Sequence, residues 1–170
     1  MPQLQILNTK EIKEILKLIE AQWCAKLKLD YAFLKNNKDR IFVINKDIQK
    51  IDLSKLRINS IGIYFCEVDR KGIRLSIEGS QIVGPKAEKN IVEIDEQQEK
   101  QWLKGEDLEV EDVCSSKTNN IFPPVSPQSH RNHSGFVIIK HNDDFLGTGK
   151  FKENKVLNYV NKARRVNASS

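Results

Sequence analysis

Near the start of the chain apolar residues recur three and four apart: Ile12, Ile15, Leu16, Ile19, Trp23 and Leu27, with Lys10, Lys13, Glu14, Lys17, Glu20 and Lys28 on the other side. This spacing predicts an amphipathic helix that Asn8 or Thr9 caps and whose first turn holds Glu11. The charged side reads as its solvated face. Two short apolar runs follow, at 31–34 and 41–44, on either side of the turn formers at 35–40, and they read as a hairpin. A short polar helix around 46–50 and a connection through Leu53 and Leu56 lead to a second hairpin, 61–68 and 73–77, turning at Asp69-Arg70-Lys71-Gly72. Its strands could carry Arg70, Lys71 and Arg74 outward, while alternation leaves one ring of Tyr64 and Phe65 on each face.

Residues 79–89 hold two glycines and a proline and mark the boundary between two domains. Beyond it come a strand at 91–94, a helix capped by Asp95 with Trp102 and Leu103 as its apolar anchors, and Gly105 where that helix should stop. The strict alternation of 108–113 predicts a strand with one wet, acidic face. Residues 115–134 contain three prolines and little apolar periodicity, a long loop of the kind that is either functional or disordered. Strand patterns return at 136–140, 145–151 and 156–160, with a turn at 141–144 and a basic end at Lys162, Arg164 and Arg165. There is no internal repeat.

The chain has 170 residues, of which 39% are hydrophobic and 30% charged, enough apolar material for a packed core and too little length for a large multidomain enzyme. Its net charge of +5 is unevenly spread. Residues 1–90 hold 17 basic and 11 acidic groups, 91–113 hold 2 and 9, and 135–170 hold 7 and 3. Such segregation fits a directed electrostatic face and a polyanionic partner, or else a solvated acidic helix face. Cys24, Cys66 and Cys114 form no C-x-x-C pair and read as reduced thiols of a cytoplasmic protein. No apolar stretch is long enough for a signal peptide or a membrane span, so no membrane partner is expected.

Most catalytic signatures are missing from the sequence. There is no phosphate-binding G-x-x-x-x-G-K-[ST], Gly147-Thr148-Gly149 lacks the rest of a dinucleotide fingerprint, and no G-x-S-x-G surrounds a serine such as Ser129. His130 and His133 with Cys114 are a weak zinc pattern, since a second cysteine is lacking. A small metal hydrolase built on His130, His133 and Asp143 is the enzymatic alternative. Adjacent Asp143 and Asp144 are more readily a turn than an acid–base couple. What persists is a strand-rich C-terminal half in which Lys140, Lys150, Lys152, Lys155, Lys162, Arg164 and Arg165 are interleaved with Phe145, Phe151 and Tyr159. Cations neutralise phosphates and exposed rings stack on unpaired bases, which favours RNA.

Leu103-Lys104-Gly105-Glu106-Asp107-Leu108, then Gly135-Phe136-Val137-Ile138-Ile139 and Phe145-Leu146-Gly147-Thr148-Gly149, resemble the PUA domain, the RNA-binding β-barrel of pseudouridine synthases and archaeosine transglycosylases. The closing stretch, 146–150 and 155–165, looks most like the PUA-like tail of the RsmF/Sun family of RNA cytosine-5 methyltransferases, although Asn161 stands where that family usually has a proline. The first 90 residues, with the long helix, Arg40-Ile41-Phe42-Val43-Ile44-Asn45 and Ser60-Ile61-Gly62, look like the pre-PUA domain of Nip-type ribosome-biogenesis proteins. The resemblances imply an α+β protein: a pre-PUA α/β domain at 1–88 and a C-terminal PUA-like β-barrel at 89–170. They also imply RNA contacts at Lys104, Gly105, Lys150, Lys152, Asn158, Lys162, Arg164 and Arg165. Gly105 would admit a close approach by RNA or serve as an ordinary helix cap.

The expectation is therefore a non-catalytic, archaeal-type RNA-binding protein without cofactor or metal. It would act on ribosomal or transfer RNA in ribosome biogenesis or RNA modification, with an RNA-modifying enzyme or assembly factor as partner. The alternative is a protein-interaction adaptor that docks through the acidic 91–113 block or the basic tail and binds RNA weakly.

Overall fold

The computed structural model describes residues 4–52, 61–70, 72–110 and 135–166. Strand β1 (Gln5–Ile6) leads into helix α1 (Thr9–Trp23). Asn8 Oδ1 accepts from the Glu11 N–H at 3.0 Å, and the Glu11 carboxylate accepts from the Asn8 N–H at 2.8 Å. The two bonds satisfy donors that the first helical turn leaves unpaired. Ile15, Ile19 and Trp23 are buried, as their spacing predicts. The helix stops at Cys24, in left-handed backbone (φ 54°), before the expected Leu27. There the Trp23 carbonyl accepts the N–H of Glu88 at 2.9 Å, so the helix end is tied to a segment far along the chain.

Strands β2 (Ala32–Lys35), β3 (Arg40–Ile44), β4 (Ile63–Asp69) and β5 (Gly72–Leu75) join β1 in an antiparallel sheet of order β1-β2-β3-β4-β5. The short helix after β3 is a 3-10 turn, Lys46–Lys50. Edge strand β5 is covered at Ile73, whose N–H and C=O both bond the Gln22 side-chain amide, at 3.0 and 2.9 Å. A primary amide held this way imitates a neighbouring strand and blunts the edge.

Across the expected boundary, 79–89, run helix α2 (Ile77–Val83) and a 3-10 turn, Gly84–Lys86. Gly79, Ser80, Val83 and Gly84 are buried there. A Cβ on Gly84 would lie 2.2 Å from the Phe145 ring. Small residues that read as looseness in the sequence thus permit close packing. The chain does change sheets across this stretch, since the first sheet ends at Leu75 and the second begins at Ile91.

The second sheet contains β6 (Ile91–Glu93), β7 (Leu108–Glu109), β8 (Gly135–His141), β9 (Asp144–Lys152) and β10 (Lys155–Asn158), with helix α3 (Glu96–Lys104) between β6 and β7. Its order is β6-β8-β9-β10-β7, with β6 parallel to β8 and the other pairs antiparallel. As a curled half-barrel it bears out the PUA-like part of the expected architecture. Short strands β6 and β7 lie at opposite edges, and no pairing joins them among the described residues. The strand expected over 108–113 begins as β7, while 111–113 lie outside the described residues, as do Leu53, Leu56, Lys71, Cys114 and the 115–134 loop with His130 and His133.

Strand β8 explains how the two sheets make one molecule. Phe136 and Ile138 enter the core built by α1 and the first sheet, while Val137 and Ile139 pack with Trp102, Leu108 and Val156 on the other side. A continuous apolar run is what a strand buried on both faces requires. Where β8 pairs with β9 the register shifts between Ile138 and Lys140, opposite Gly147 (φ 101°). Near this bulge the Trp102 indole N–H donates to the Leu146 carbonyl at 2.8 Å and the Gly147 N–H donates to Ser80 Oγ at 2.9 Å. The bulge therefore turns backbone groups of β9 toward α3 and α2. Thr148 Oγ1 adds a buried bond to the Leu75 carbonyl, at 2.9 Å.

Candidate nucleic-acid interface

The residues that the sequence singles out fall on two sides of the second sheet. The larger group surrounds the C-terminal end of α3. Asp95 and Gln98 form a capping box at the other end, and Gly105 closes the helix in left-handed conformation, φ 90°. Asn158 then crosses from β10, its amide donating to the carbonyls of Trp102 at 2.8 Å and Glu106 at 3.0 Å. Its Oδ1 accepts from the Val160 N–H at 2.8 Å, and its own N–H donates to Asp107 at 2.7 Å. Asn158 thus spends its hydrogen-bonding groups on joining tail to helix.

The tail continues as a 3-10 turn, Lys162–Arg164, which Asn161 caps by accepting from the Ala163 N–H at 3.1 Å. Asn161 does for this turn what its side-chain oxygen allows and a proline ring could not. Arg165 lies against Gly105, where an added Cβ would stand 2.2 Å from Nε, and that Nε donates to the Val160 carbonyl at 3.1 Å. The close approach at Gly105 is made by this arginine. Arg164 reaches the other way and pairs with Glu78 of α2. Lys104 and Lys162 are exposed, and no carboxylate among the described residues pairs with either. Cations also suit this place because the carbonyl end of α3 carries partial negative charge.

The smaller group lies on the opposite face. Gly149 points toward Trp102 and Val156, so alternation turns Lys150 and Lys152 away from α3. Cross-strand partners share a face, which puts Phe136 and Leu157 beside Lys150, and Lys155 beside Lys152. Lys152 pairs with Glu153 at 3.4 Å and Lys155 with Glu109 at 3.2 Å. Tyr159 belongs to this side through an edge-on contact with Phe136, 5.8 Å between ring centroids. Arg74 of β5 stands 5.0 Å over the Tyr159 ring. Periodicity had turned Arg74 outward, but only the packing of β5 against β8 and β9 brings it to an aromatic ring eighty-odd positions along the chain.

Several carboxylates of the acidic block have basic partners within the fold. Glu96 bonds Lys100 at 2.7 Å, Glu93 lies 3.9 Å from Lys140 and Glu99 lies 3.6 Å from His141. The hydrogen bond from Lys100 holds the Glu96 carboxyl below its ordinary range. Among the described residues no three His, Cys, Asp or Glu side chains gather as a metal cluster, and no helix is long and apolar enough to cross a membrane. Burial pushes the Cys66 thiol far up, so it stays protonated and is a poor nucleophile at neutral pH. Exposed cations of this kind can neutralise phosphates, and an exposed ring can stack on a flat base.

Residues 89–166 match the family model described as the methyltransferase RsmF PUA domain. Over 106 residues the chain is 23% identical to the ribosomal RNA small subunit methyltransferase F of Vibrio parahaemolyticus, a match that covers 62% of this chain and 20% of that protein. The chain spans about a fifth of the length of the curated relative it matches. Its C-terminal part is a PUA-like domain of the RsmF type. The pre-PUA likeness expected for 1–88 lies outside the residues that the family model matches.

Proposed function

We propose that this chain binds RNA through its RsmF-type PUA-like domain, performs no chemistry itself, and holds ribosomal or transfer RNA for a separate methyltransferase. The match of 89–166 to the PUA domain of an RNA methyltransferase family carries the reading. The exposed cations Lys104 and Lys162 at the end of α3, with half-buried Lys150 on the sheet's other face, support it from the chemical side. In this reading residues 1–88 are a pre-PUA unit that orients the RNA-binding half, and the protein works in the cytoplasm in ribosome biogenesis.

Salt dependence tests it. Each phosphate contact to single-stranded RNA contributes roughly 0.7 to the slope of log affinity against log salt. Replacing Lys104, Lys150 and Lys162 together by alanine is expected to weaken binding to ribosomal RNA and to make that slope shallower by about 2. An unchanged slope, or a parent protein that binds neither ribosomal nor transfer RNA at low salt, overturns the proposal.

A further inference from the structure

We infer that the ring of Tyr159, set between Arg74 and Phe136 where the two sheets meet, is a stacking platform for an unpaired RNA base. The N-terminal half then supplies part of the RNA surface. This rests on the RNA-binding reading above and extends it beyond residues 89–166. Tyr159 is 41% exposed while its ring makes two specific contacts. Phe136, itself 5% exposed, meets it at an interplanar angle of 79° and anchors it to the core. The Arg74 guanidinium is fixed in turn, because its Nη2 donates to Glu67 at 2.7 Å. A ring and a guanidinium plane both held in place lose little freedom when a base is added.

The surroundings match the rest of a nucleotide. Lys150, Lys152 and Lys155 line the same side of β9 and β10, spaced along the strands as cations that follow a phosphate backbone would be. On the other flank Arg40 stands 5.7 Å over the Tyr64 ring, and Tyr64 packs on Phe42 at 5.5 Å. Glu67 joins the two arginine–tyrosine pairs: it lies 3.5 Å from Arg40 Nε and accepts from the Tyr64 hydroxyl at 3.4 Å. Burial, and then the Glu67 charge, raise the Tyr64 phenol, so it remains a neutral donor there. The strip therefore alternates planar rings and planar cations across both sheets. Its lysines are more numerous than the carboxylates that pair with them, which suits a polyanion with flat bases better than a protein surface.

The experiment uses the full chain and two labelled RNAs of equal length, a single-stranded oligouridylate and a blunt duplex. Base stacking on one aromatic side chain is strong enough that its loss weakens single-strand binding roughly ten-fold. Tyr159→Leu, which keeps an apolar contact with Phe136, is expected to lose about that much on the single strand. It should lose little on the duplex and keep the parent salt slope. Tyr159→Phe should bind as the parent does, and Arg74→Ala should weaken the single strand with a slightly shallower slope. If Tyr159→Leu binds the single strand like the parent while the triple-lysine variant does not, the platform is refuted and the RNA-binding reading stands. Equal loss on both RNAs also refutes it, since stacking needs an unpaired base. A parent that binds neither RNA refutes both. Should Tyr159→Leu melt earlier than the parent, Arg74→Lys decides: it retains the charge and loses the plane, and parent-like single-strand affinity in that variant overturns the platform.

Discussion

Gly105 is legible as a helix cap from its place in the sequence, while the side chain that lies against it is not. Its place after Lys104 at the end of a periodic segment predicts a cap, and φ 90° confirms a conformation that costs a side-chain-bearing residue about 1–2 kcal/mol. The group that approaches its bare Cα is Arg165, which nothing local in the sequence could announce. Gly105→Ala is expected to lower stability by about that amount and to loosen Arg165, so the melting temperature should fall by roughly 2–8 °C. A melt unchanged within about 1 °C would mean that Arg165 does not depend on the gap. Asn158 is similar: the family resemblance offers it as an RNA contact, and its four hydrogen bonds, to α3, the turn after it and the tail, appear only in three dimensions.

The elements themselves were the most legible level. Helices α1 and α3 begin where Asn8 and Asp95 predict, and every expected strand that lies in the described residues is present. Capping and periodicity are local, so a sequence displays them directly. Helix α2 is not legible because Gly79 within it, and Gly84 and Pro85 just after it, carry loop chemistry, whereas its register is set by tertiary contacts. Ser80 illustrates this. Its hydroxyl donates to the Ile77 carbonyl at 2.6 Å and accepts the Gly147 N–H, so it joins α2 to the bulge in β9. Ser80→Ala leaves that buried N–H without its partner, at a cost of about 1–3 kcal/mol. Denaturant unfolding should report the loss, and faster amide exchange at Gly147 should localise it. Exchange as slow as in the parent would show that another acceptor takes over.

At the scale of the whole molecule, residues on both sides of 88/89 share one core, because Phe136 and Ile138 lie in the cluster formed by α1 and the first sheet. The full chain is expected to unfold in one cooperative transition, with calorimetric and van't Hoff enthalpies in agreement. A fragment starting at residue 89 should bind the apolar dye ANS strongly, where the intact protein does not. Two separate transitions would show that the halves are energetically independent. Strand β8 has a further consequence, for the order in which the chain is made. Everything from β1 to α2 leaves the ribosome before Gly135, so the nascent first half carries an unfilled notch in the shape of Phe136 and Ile138. The parallel partner β6 also has to wait for β8, with α3 and β7 emerging in between. Until those few residues arrive, both halves expose apolar surface that ends up buried, and one late strand completes them together.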